Sequence, residues 1–446
     1  MQITQFEDKP LAHYSYAILS DQKIALVDPS RNPAPYYAFA EEHNAKIVAI
    51  FETHPHADFV SSHLQISTET GADIFVSTLV GAEYPHTPFD DGDTLHIGSV
   101  TFSAINTPGH SPDSITIHAT NAHDEHAVFT GDTLFIGDVG RPDLREKAGN
   151  MKAKREDLAK AMYKTIQHKF NGLPDKTVVY PAHGAGSLCG KNMSSASSST
   201  LGNERMGNWA FKNQTEAEFL KHLLSDPPFI PSYFGFDVDI NKDGAERFET
   251  SVGAIPSLIG VSSLKKEIPI VDTRDEREFK KGHIAGSFNI MARSVDDKFE
   301  TWLGSIIRPH EPFYLVIDRY EKRAHVLERV AKIGYEAQLT ALITLDNLNL
   351  AAFAKFDVTM FRNNLEDYTI IDIRNTSEFE SEKYFENAIN LPLNTLRESI
   401  DTIPTSKPIV VHCAGGYRSA AGSSIIAKEL QDCTVLDLSD HINQFK

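Results

Sequence analysis

Four places in the first half of the chain combine an apolar run with a side chain that can bind a metal ion. The first, residues 54–58 (His-Pro-His-Ala-Asp), holds three potential ligands within five residues. The other three carry His110, Asp132 and His183. A single histidine at such a place is usually a structural residue, but four such places together predict a shared metal site.

A thiol near the carboxyl terminus offers a second kind of chemistry. Cys413 opens the stretch Cys-Ala-Gly-Gly-Tyr-Arg, between an apolar run and a helix predicted to begin near Ser419. At such a turn the sulfur faces backbone N–H groups and the positive end of the helix, which favour the nucleophilic thiolate. Gly415 and Gly416 can adopt positive φ angles at little cost. Arg418 adds a fixed cation for an anionic sulfur species.

Short strands must position the metal-binding side chains. An apolar run of strand length precedes each of the four places: residues 47–51, 101–105, 127–130 and 177–180. A helix is predicted over residues 158–170, where apolar side chains recur at helical spacing. The Ser-rich tract at 194–200 has the composition of a surface loop. Prolines at 227–231 indicate that this unit ends near residue 245.

The second half contains an internal repeat with an offset of 100 residues (372 − 272). Residues 270–274 match residues 370–374, and each copy continues with an apolar Asn motif and a second apolar strand. The copies then diverge, because Asp318 stands about where the second copy has Cys413. We therefore expect the first copy to be catalytically inactive and to serve as a spacer or an oligomerisation domain.

Composition excludes several classes of protein. The 446 residues predict roughly two to four domains. With 61 acidic residues against 43 basic ones, a formal charge of −18 argues against nucleic acid and anionic lipid as partners. We find no apolar run of membrane-spanning length and no secretory signal. Three cysteines are too few for a disulfide scaffold, so we expect a cytoplasmic protein; Cys433, in an apolar stretch, is expected to be a core residue.

The histidine and aspartate pattern resembles the metallo-β-lactamase superfamily, whose first motif is His-x-His-x-Asp-His. The resemblance covers residues 1–245 and implies an α/β fold, an αββα sandwich. Phe59 stands where the motif has its last histidine. Since an aromatic ring offers no lone pair, a second metal ion would lose a ligand there, which argues against a two-metal hydrolase and favours one ion.

Within that superfamily, the persulfide dioxygenases bind one iron through residues that correspond to His54, His110 and Asp132. The resemblance thus implies one Fe(II) per chain, held by two imidazoles and a carboxylate. From the ligands alone, iron and zinc both remain open. The residues that would orient the ligands or contact the substrate are His56, Asp58 and His183.

Other stretches resemble the same dioxygenases. Arg141 lies in a Gly-Arg pair and either binds a substrate carboxylate or forms a structural salt bridge. Cys189 follows His183 by six residues, close enough to reach the metal pocket, and is either a functional thiol or a buried structural cysteine. The Ser-rich tract and residues 200–205 resemble an ordered rim of the active site rather than a linker.

Both C-terminal copies resemble rhodanese domains, at residues 246–346 and 347–446. Cys413 matches the position of the rhodanese nucleophile, and Arg418 follows it by five positions. Related phosphatases use a loop one residue longer, so the spacing favours sulfur over phosphate. The order of domains resembles the bacterial persulfide dioxygenase–rhodanese fusions of sulfide detoxification.

This resemblance implies a bifunctional, homo-oligomeric enzyme. The iron domain would oxidise a thiol persulfide with O2 to sulfite, and a Cys413 persulfide would pass sulfur to sulfite, giving thiosulfate. Glutathione, coenzyme A and a bacterial small thiol all remain open as the carrier. The alternatives are a zinc-dependent hydrolase of the glyoxalase II or lactonase type fused to a sulfur carrier, and a non-enzymatic sulfur-relay module.

Overall fold

A computed structural model describes residues 1–145, 154–259, 264–345 and 350–446. The chain divides into two compact units, the first comprising residues 1–251 with 331–334 and the second residues 252–330 with 335–446. The domain boundary predicted between residues 346 and 347 lies outside the described residues. Among the residues that are described, no helix has both the length and the hydropathy needed to cross a membrane.

The first sheet of the first unit follows the order β1-β2-β3-β4-β5-β6. Its first three strands pair antiparallel and the remaining pairs are parallel. Its strands are β1 (Gln2–Asp8), β2 (His13–Ser20), β3 (Lys23–Val27), β4 (Lys46–Phe51), β5 (Asp73–Val76) and β6 (Thr87–Pro88).

The second sheet follows the order β12-β11-β10-β9-β8-β7, in which only the β10–β11 pair is parallel among the described strands. Its strands are β7 (Thr94–Ile97), β8 (Val100–Asn106), β9 (Ile115–Asn121), β10 (His126–Gly131), β11 (Val178–Pro181) and β12 (Ser199–Thr200). The helices are α1 (Ala34–Glu42), α2 (His63–Thr70), α3 (Arg155–His168), α4 (Leu201–Gly207), α5 (Glu216–Leu224), α6 (Phe234–Asp243) and α7 (Phe248–Gly253).

The two sheets pack face to face around an aromatic core. Phe51 of the first sheet lies with its ring centroid 5.1 Å from that of Phe102 of the second. Helices α1 and α2 cover the outer face of the first sheet, and α3 and α5 cover that of the second. The predicted αββα sandwich is confirmed, as is each of the four strands that we expected to precede a metal-binding side chain. The Ser-rich tract ends in β12, which pairs with β11, so it is a loop only up to Ser198.

The second unit contains two parallel sheets, ordered β13-β17-β16-β14-β15 and β19-β18-β20-β21. Its strands are β13 (Ser257–Ile259), β14 (Ile270–Asp272), β15 (Phe288–Asn289), β16 (Phe313–Ile317), β17 (Leu339–Thr344), β18 (Thr369–Asp372), β19 (Ile389–Asn390), β20 (Ile409–His412) and β21 (Val435–Asp437). Its helices are α8 (Glu276–Lys281), α9 (Phe299–Ile306), α10 (Arg323–Lys332), α11 (Val358–Asn363), α12 (Thr376–Ser381), α13 (Leu396–Ser399) and α14 (Tyr417–Glu429). Parallel strands need crossover helices, which explains the alternation.

Two sequence expectations for the second unit need correction. Strand register pairs Asp272 with Val316 in the first copy and Asp372 with His412 in the second. The residue equivalent to Cys413 is therefore Ile317 and not Asp318, because Ile317 follows Val316 directly and Cys413 follows His412 directly. Cys433 is half-buried before β21 rather than in the core, and its Sγ lies 3.8 Å from the Thr405 carbonyl oxygen.

Candidate metal centre and thiol loop

Three predicted metal ligands come together at the ends of neighbouring elements of the first unit. One ligand atom each from His54, His110 and Asp132 lies within 4.8 Å of the others, and all three residues are buried. Asp132 Oδ2 is 3.5 Å from His110 Nε2 and 3.9 Å from His54 Nε2. Gly131 makes this approach possible: its φ is 52°, and a Cβ there would collide with the Thr53 hydroxyl.

The tautomers of both imidazoles are fixed by their other nitrogen. His110 Nδ1 lies 2.9 Å from the Arg141 carbonyl oxygen, which can only accept, so Nδ1 carries the proton. The Thr53 hydroxyl donates to Asp28 Oδ2 at 2.8 Å and accepts from His54 Nδ1 at 3.0 Å. The lone pairs of both Nε2 atoms are therefore left for a ligand.

The charges and the unsatisfied atoms of this group suit a metal ion. Burial lowers the pKa of His54 and of His110, so both imidazoles are neutral at neutral pH. Burial alone would raise the pKa of Asp132, but His183, His110 and His54 hold it well below its usual value. Asp132 Oδ2 is buried and has no hydrogen-bond partner among the described residues. An orphaned carboxylate oxygen facing two neutral imidazole nitrogens is a site that a cation would satisfy.

His183 joins this centre to a second group of potential ligands. Its Nδ1 donates to Asp132 Oδ1 at 2.7 Å, and its Nε2 lies 2.8 Å from Asp58 Oδ2. Burial opposes protonation, but the two carboxylates raise the pKa of His183 well above its usual value. Ligand atoms of Asp58, His183 and Cys189 also lie within 4.8 Å of one another. Burial, followed by the Asp58 and Asp132 charges, raises the pKa of Cys189, which keeps it a thiol.

His56 points to different partners. Its Nε2 lies 3.1 Å from Asp28 Oδ1 and 3.5 Å from Glu52 Oε2. These three buried residues form a further group of potential ligands. Because Asp28 also accepts from Thr53, hydrogen bonds through that carboxylate and hydroxyl link His56 to His54, and the two rings also lie with their centroids 4.3 Å apart.

Arg141 forms a structural salt bridge, which is one of the two roles predicted for it from the sequence. The buried guanidinium makes two hydrogen bonds to Asp143, at 2.7 and 2.6 Å. Burial would raise the pKa of Asp143, but these bonds hold it below its usual value. The contribution of Arg141 to the metal centre is its carbonyl oxygen, which orients His110.

His13 lies beside this centre and was not among the site residues predicted from the sequence. His13, the first residue of β2, lies with its ring centroid 3.9 Å from that of Phe59 and 5.5 Å from that of His183. Phe59 also stacks near His56, at 4.3 Å. Because His13 begins a strand and does not follow one, the pattern used to find the other ligands did not include it.

The thiol loop follows β20 directly. Cys413 is buried, and the Gly416 N–H donates to its Sγ at 3.1 Å. Gly416 has the expected positive φ, 101°, and a Cβ there would lie 3.0 Å from the backbone of Ser439 and Asp440. Of the two glycines that could adopt a positive φ, Gly415 does not; it is exposed, and a Cβ there would meet no described atom within 4 Å. Helix α14 begins at Tyr417, two residues before the predicted start.

Arg418 is engaged by a carboxylate. Its two terminal nitrogens contact the two oxygens of Glu378 at 2.6 and 2.7 Å. Burial would lower the pKa of Arg418, but Glu378 and then Cys413 raise it. The guanidinium charge is therefore shared between Glu378 and the surroundings of the sulfur.

A cavity of about 710 Å³ opens over Cys413 and is lined by both repeat copies. Cys413, Gly415, Tyr417 and Arg418 come from the second copy. The first copy contributes Arg293, Ser294, Asp296, Asp297, Lys298 and Trp302. The Tyr417 hydroxyl also donates to the Met291 carbonyl oxygen at 2.8 Å. The first copy therefore does more than separate domains, because it forms one wall of the thiol site.

Comparison with protein families accounts for both units. The metallo-beta-lactamase superfamily matches residues 8–183, and the rhodanese-like domain matches residues 261–343 and 357–446. A solved metallo-beta-lactamase structure from Staphylococcus aureus aligns with a TM-score of 0.67 and 29% identity, over 77% of this chain and 99% of that one.

Two curated relatives resemble the first unit at equal identity. A probable hydroxyacylglutathione hydrolase from Schizosaccharomyces pombe is 30% identical over 243 residues, which is 48% of this chain and 88% of the relative. The human mitochondrial persulfide dioxygenase ETHE1 is 30% identical over 164 residues, which is 36% of this chain and 59% of the relative.

Proposed function

We propose, from the premise that this chain belongs to the metallo-β-lactamase superfamily and carries two rhodanese-like domains, that it is a bifunctional sulfur enzyme. Its first unit oxidises a low-molecular-weight thiol persulfide with O2 to sulfite, and its second unit transfers sulfur through Cys413. The main observation in favour of this proposal is that the ligand atoms of His54, His110 and Asp132 lie together, while Phe59 occupies the last position of the His-x-His-x-Asp-His motif.

Two imidazoles and one carboxylate suit Fe(II), which when bound supplies open positions for dioxygen and for the persulfide. The residues of the chain hold and shield that ligand set. His183 fixes Asp132 by donating to Oδ1, and the Arg141 carbonyl fixes His110. The buried Phe59 ring presents an apolar surface next to the centre, which limits the water that competes with substrate.

The oxidation balances without another reductant. A persulfide RSSH, O2 and water give the thiol RSH, sulfite and protons. The S–S bond breaks, both atoms of O2 enter sulfite, and the third oxygen comes from water. Since the electrons lost by the persulfide reduce O2 completely, the two substrates and water are sufficient.

Sulfur transfer uses the second unit. The Cys413 thiolate attacks the outer sulfur of a persulfide, the thiol leaves, and Cys413 carries the sulfur as a persulfide. Sulfite then attacks that outer sulfur, thiosulfate forms, and the thiolate is restored. The N–H of Gly416, which donates to Sγ, stabilises the thiolate as nucleophile and as leaving group. The cavity over Cys413 is within the size range of sites for small organic ligands.

Metal analysis combined with oxygen uptake tests the proposal. The full chain, purified anaerobically, should hold one iron and consume O2 when glutathione persulfide is added. Asp132→Ala should lose both the iron and the uptake. The matched control is His118→Gln, because His118 is a half-buried histidine of β9 outside the ligand group. Full iron occupancy in Asp132→Ala would contradict the assigned role.

A second candidate is a zinc hydrolase of the hydroxyacylglutathione type. The additional ligand group of Asp58, His183 and Cys189, and the similarity to the S. pombe relative, both favour it. It predicts two zinc ions per chain and hydrolysis of a glutathione thioester without O2 consumption. The same preparation assayed with both substrates separates the two functions.

A further inference from the structure

His13 presents an unsatisfied nitrogen beside the metal centre. The residue is buried, and its Nε2 has no hydrogen-bond partner among the described residues. The rings of Phe59, His183 and His56 surround it, with centroids at 3.9, 5.5 and 6.0 Å. A buried polar nitrogen without a partner costs stability unless a ligand satisfies it.

The backbone holds His13 in this place. The Tyr14 N–H donates to the Ala182 carbonyl oxygen at 2.7 Å, and the Gly184 N–H donates to that of Ala12 at 2.9 Å. These bonds bridge His13 to His183. The contact is tight, since a Cβ on Gly184 would lie 2.5 Å from the Tyr14 hydroxyl oxygen.

Ala12 carries backbone strain at the same point. Its φ is 52°, in the left-handed region that residues with a Cβ rarely adopt. Such strained residues persist only where the surrounding structure enforces them, and they are concentrated at functional sites. Here the strained residue immediately precedes the histidine that faces the centre.

His13 can supply the hydrogen-bond donor that an anion needs. An imidazole carries an N–H in either protonation state, and Nε2 is the ring nitrogen left without a partner among the described residues. The residue at the last motif position, Phe59, has no donor, and its ring lies directly against His13.

We infer that His13 is a substrate-binding residue whose Nε2–H donates a hydrogen bond to the anionic sulfur held at the Asp132 centre. It provides the polar contact that Phe59 cannot. This inference rests on the proposed function for the kind of ligand, a persulfide or hydrosulfide sulfur, and it names the residue that selects it.

Anaerobic binding of sodium hydrosulfide to the iron-loaded full chain tests the inference apart from turnover. His13→Phe and His13→Leu should bind hydrosulfide about tenfold more weakly than wild type, because a hydrogen bond to a charged group is lost. His13→Gln, which retains an N–H donor, should recover most of the affinity. Iron content should be unchanged in all three variants, and His118→Gln serves as the control.

Several results would overturn the inference. One is equal hydrosulfide affinity in wild type and His13→Phe, and another is no hydrosulfide binding by wild type. A third is loss of iron from the His13 variants, because that would make His13 a metal ligand. If the Phe and Leu variants fail to fold, His13→Asn takes their place, since its shorter amide does not reach the same point. Oxygen uptake by wild type is scored separately, so hydrosulfide binding without uptake rejects the dioxygenase and retains the role of His13.

Discussion

The two rhodanese-like copies share an Asp–Arg pair at the end of a central strand. Arg274 Nη2 lies 2.7 Å from Asp272 Oδ2 in the first copy, and Arg374 Nη2 lies 2.7 Å from Asp372 Oδ2 in the second. In each copy the same nitrogen also donates to a backbone carbonyl eight residues on, again at 2.7 Å. The two copies, which lie 100 residues apart in the sequence, therefore share the same arrangement of this Asp–Arg pair, called the polar scaffold below.

The copies differ at the end of the strand next to that scaffold, which is β16 in the first copy and β20 in the second. The first ends its strand with Val316 and Ile317, where the second has His412 and Cys413. Since the Asp–Arg pair is intact in both, it does not distinguish the two copies. They differ in the turn after the strand and in the length of chain from there to the next helix.

The largest expected effect comes from removing the proposed nucleophile of the second copy, a thiol that the first copy does not have. Cys413→Ser should lower sulfurtransferase activity about a thousandfold or more, since the hydroxyl is a far weaker nucleophile than a thiolate. Oxygen uptake should persist, and the product should shift from thiosulfate to sulfite. Rates of thiosulfate formation and of O2 consumption, measured on one preparation, check both parts.

Cys433→Ser is the control for that variant, because Cys433 is a half-buried cysteine outside the cavity. It should retain normal sulfur transfer. If Cys413→Ser keeps more than about a tenth of the wild-type rate, the nucleophile lies elsewhere; if its oxygen uptake also collapses, the two activities are coupled.

Local spacing predicted much of this structure. The strands before His54, His110, Asp132 and His183 were found because an apolar run precedes each polar residue. The first of these strands belongs to one sheet and the other three to the second, and the packing of the two sheets brings their ends together. The repeat was found from two similar short motifs, residues 270–274 and 370–374, which share Ile, Asp and Arg at the same positions. Gly416 was found from its place between a strand and a helix. These features depend on residues close to one another in the chain.

What the sequence did not reveal depends on packing between distant segments. His13 reaches the centre only because β2 pairs with the segment around His183. Trp302 and Lys298 line the thiol cavity because the two copies contact each other. The equivalence of Ile317 to Cys413 followed from strand register and not from alignment of letters.

The next effect concerns pH and follows from His412, where the first copy has Val316. Burial lowers the pKa of His412 to about 4 from a usual 6.5. As the pH falls, His412 takes up a proton in the unfolded state before it does so in the folded state. The free energy of unfolding therefore decreases as the pH falls from 6.5 to about 4. The loss is on the order of 3 kcal/mol when complete.

His412→Val, which installs the residue of the first copy, should flatten that part of the pH profile. Urea unfolding of the full chain at several pH values, followed by a signal from the second unit, measures the slope. His441→Gln, which removes another half-buried histidine of the same unit, is the control for the loss of a histidine as such. An identical slope in wild type and His412→Val would show that other groups cause the acid sensitivity.

The smallest expected effect is a null result that sharpens the comparison. Ile317→Cys, made in the Cys413→Ser background, supplies the first copy with a thiol at the equivalent position. In the second copy the helix begins at Tyr417, four residues after Cys413, and Gly416 donates to the sulfur. In the first copy α10 begins only at Arg323, after a 3-10 turn over Tyr320–Lys322. The next helix thus begins two residues farther along the chain from residue 317, and residues 318–322 include no glycine to present an N–H as Gly416 does. We therefore expect thiosulfate formation not to rise above that of Cys413→Ser. Recovery of transfer would mean that the thiol alone makes a copy catalytic and that the geometry of the turn is dispensable.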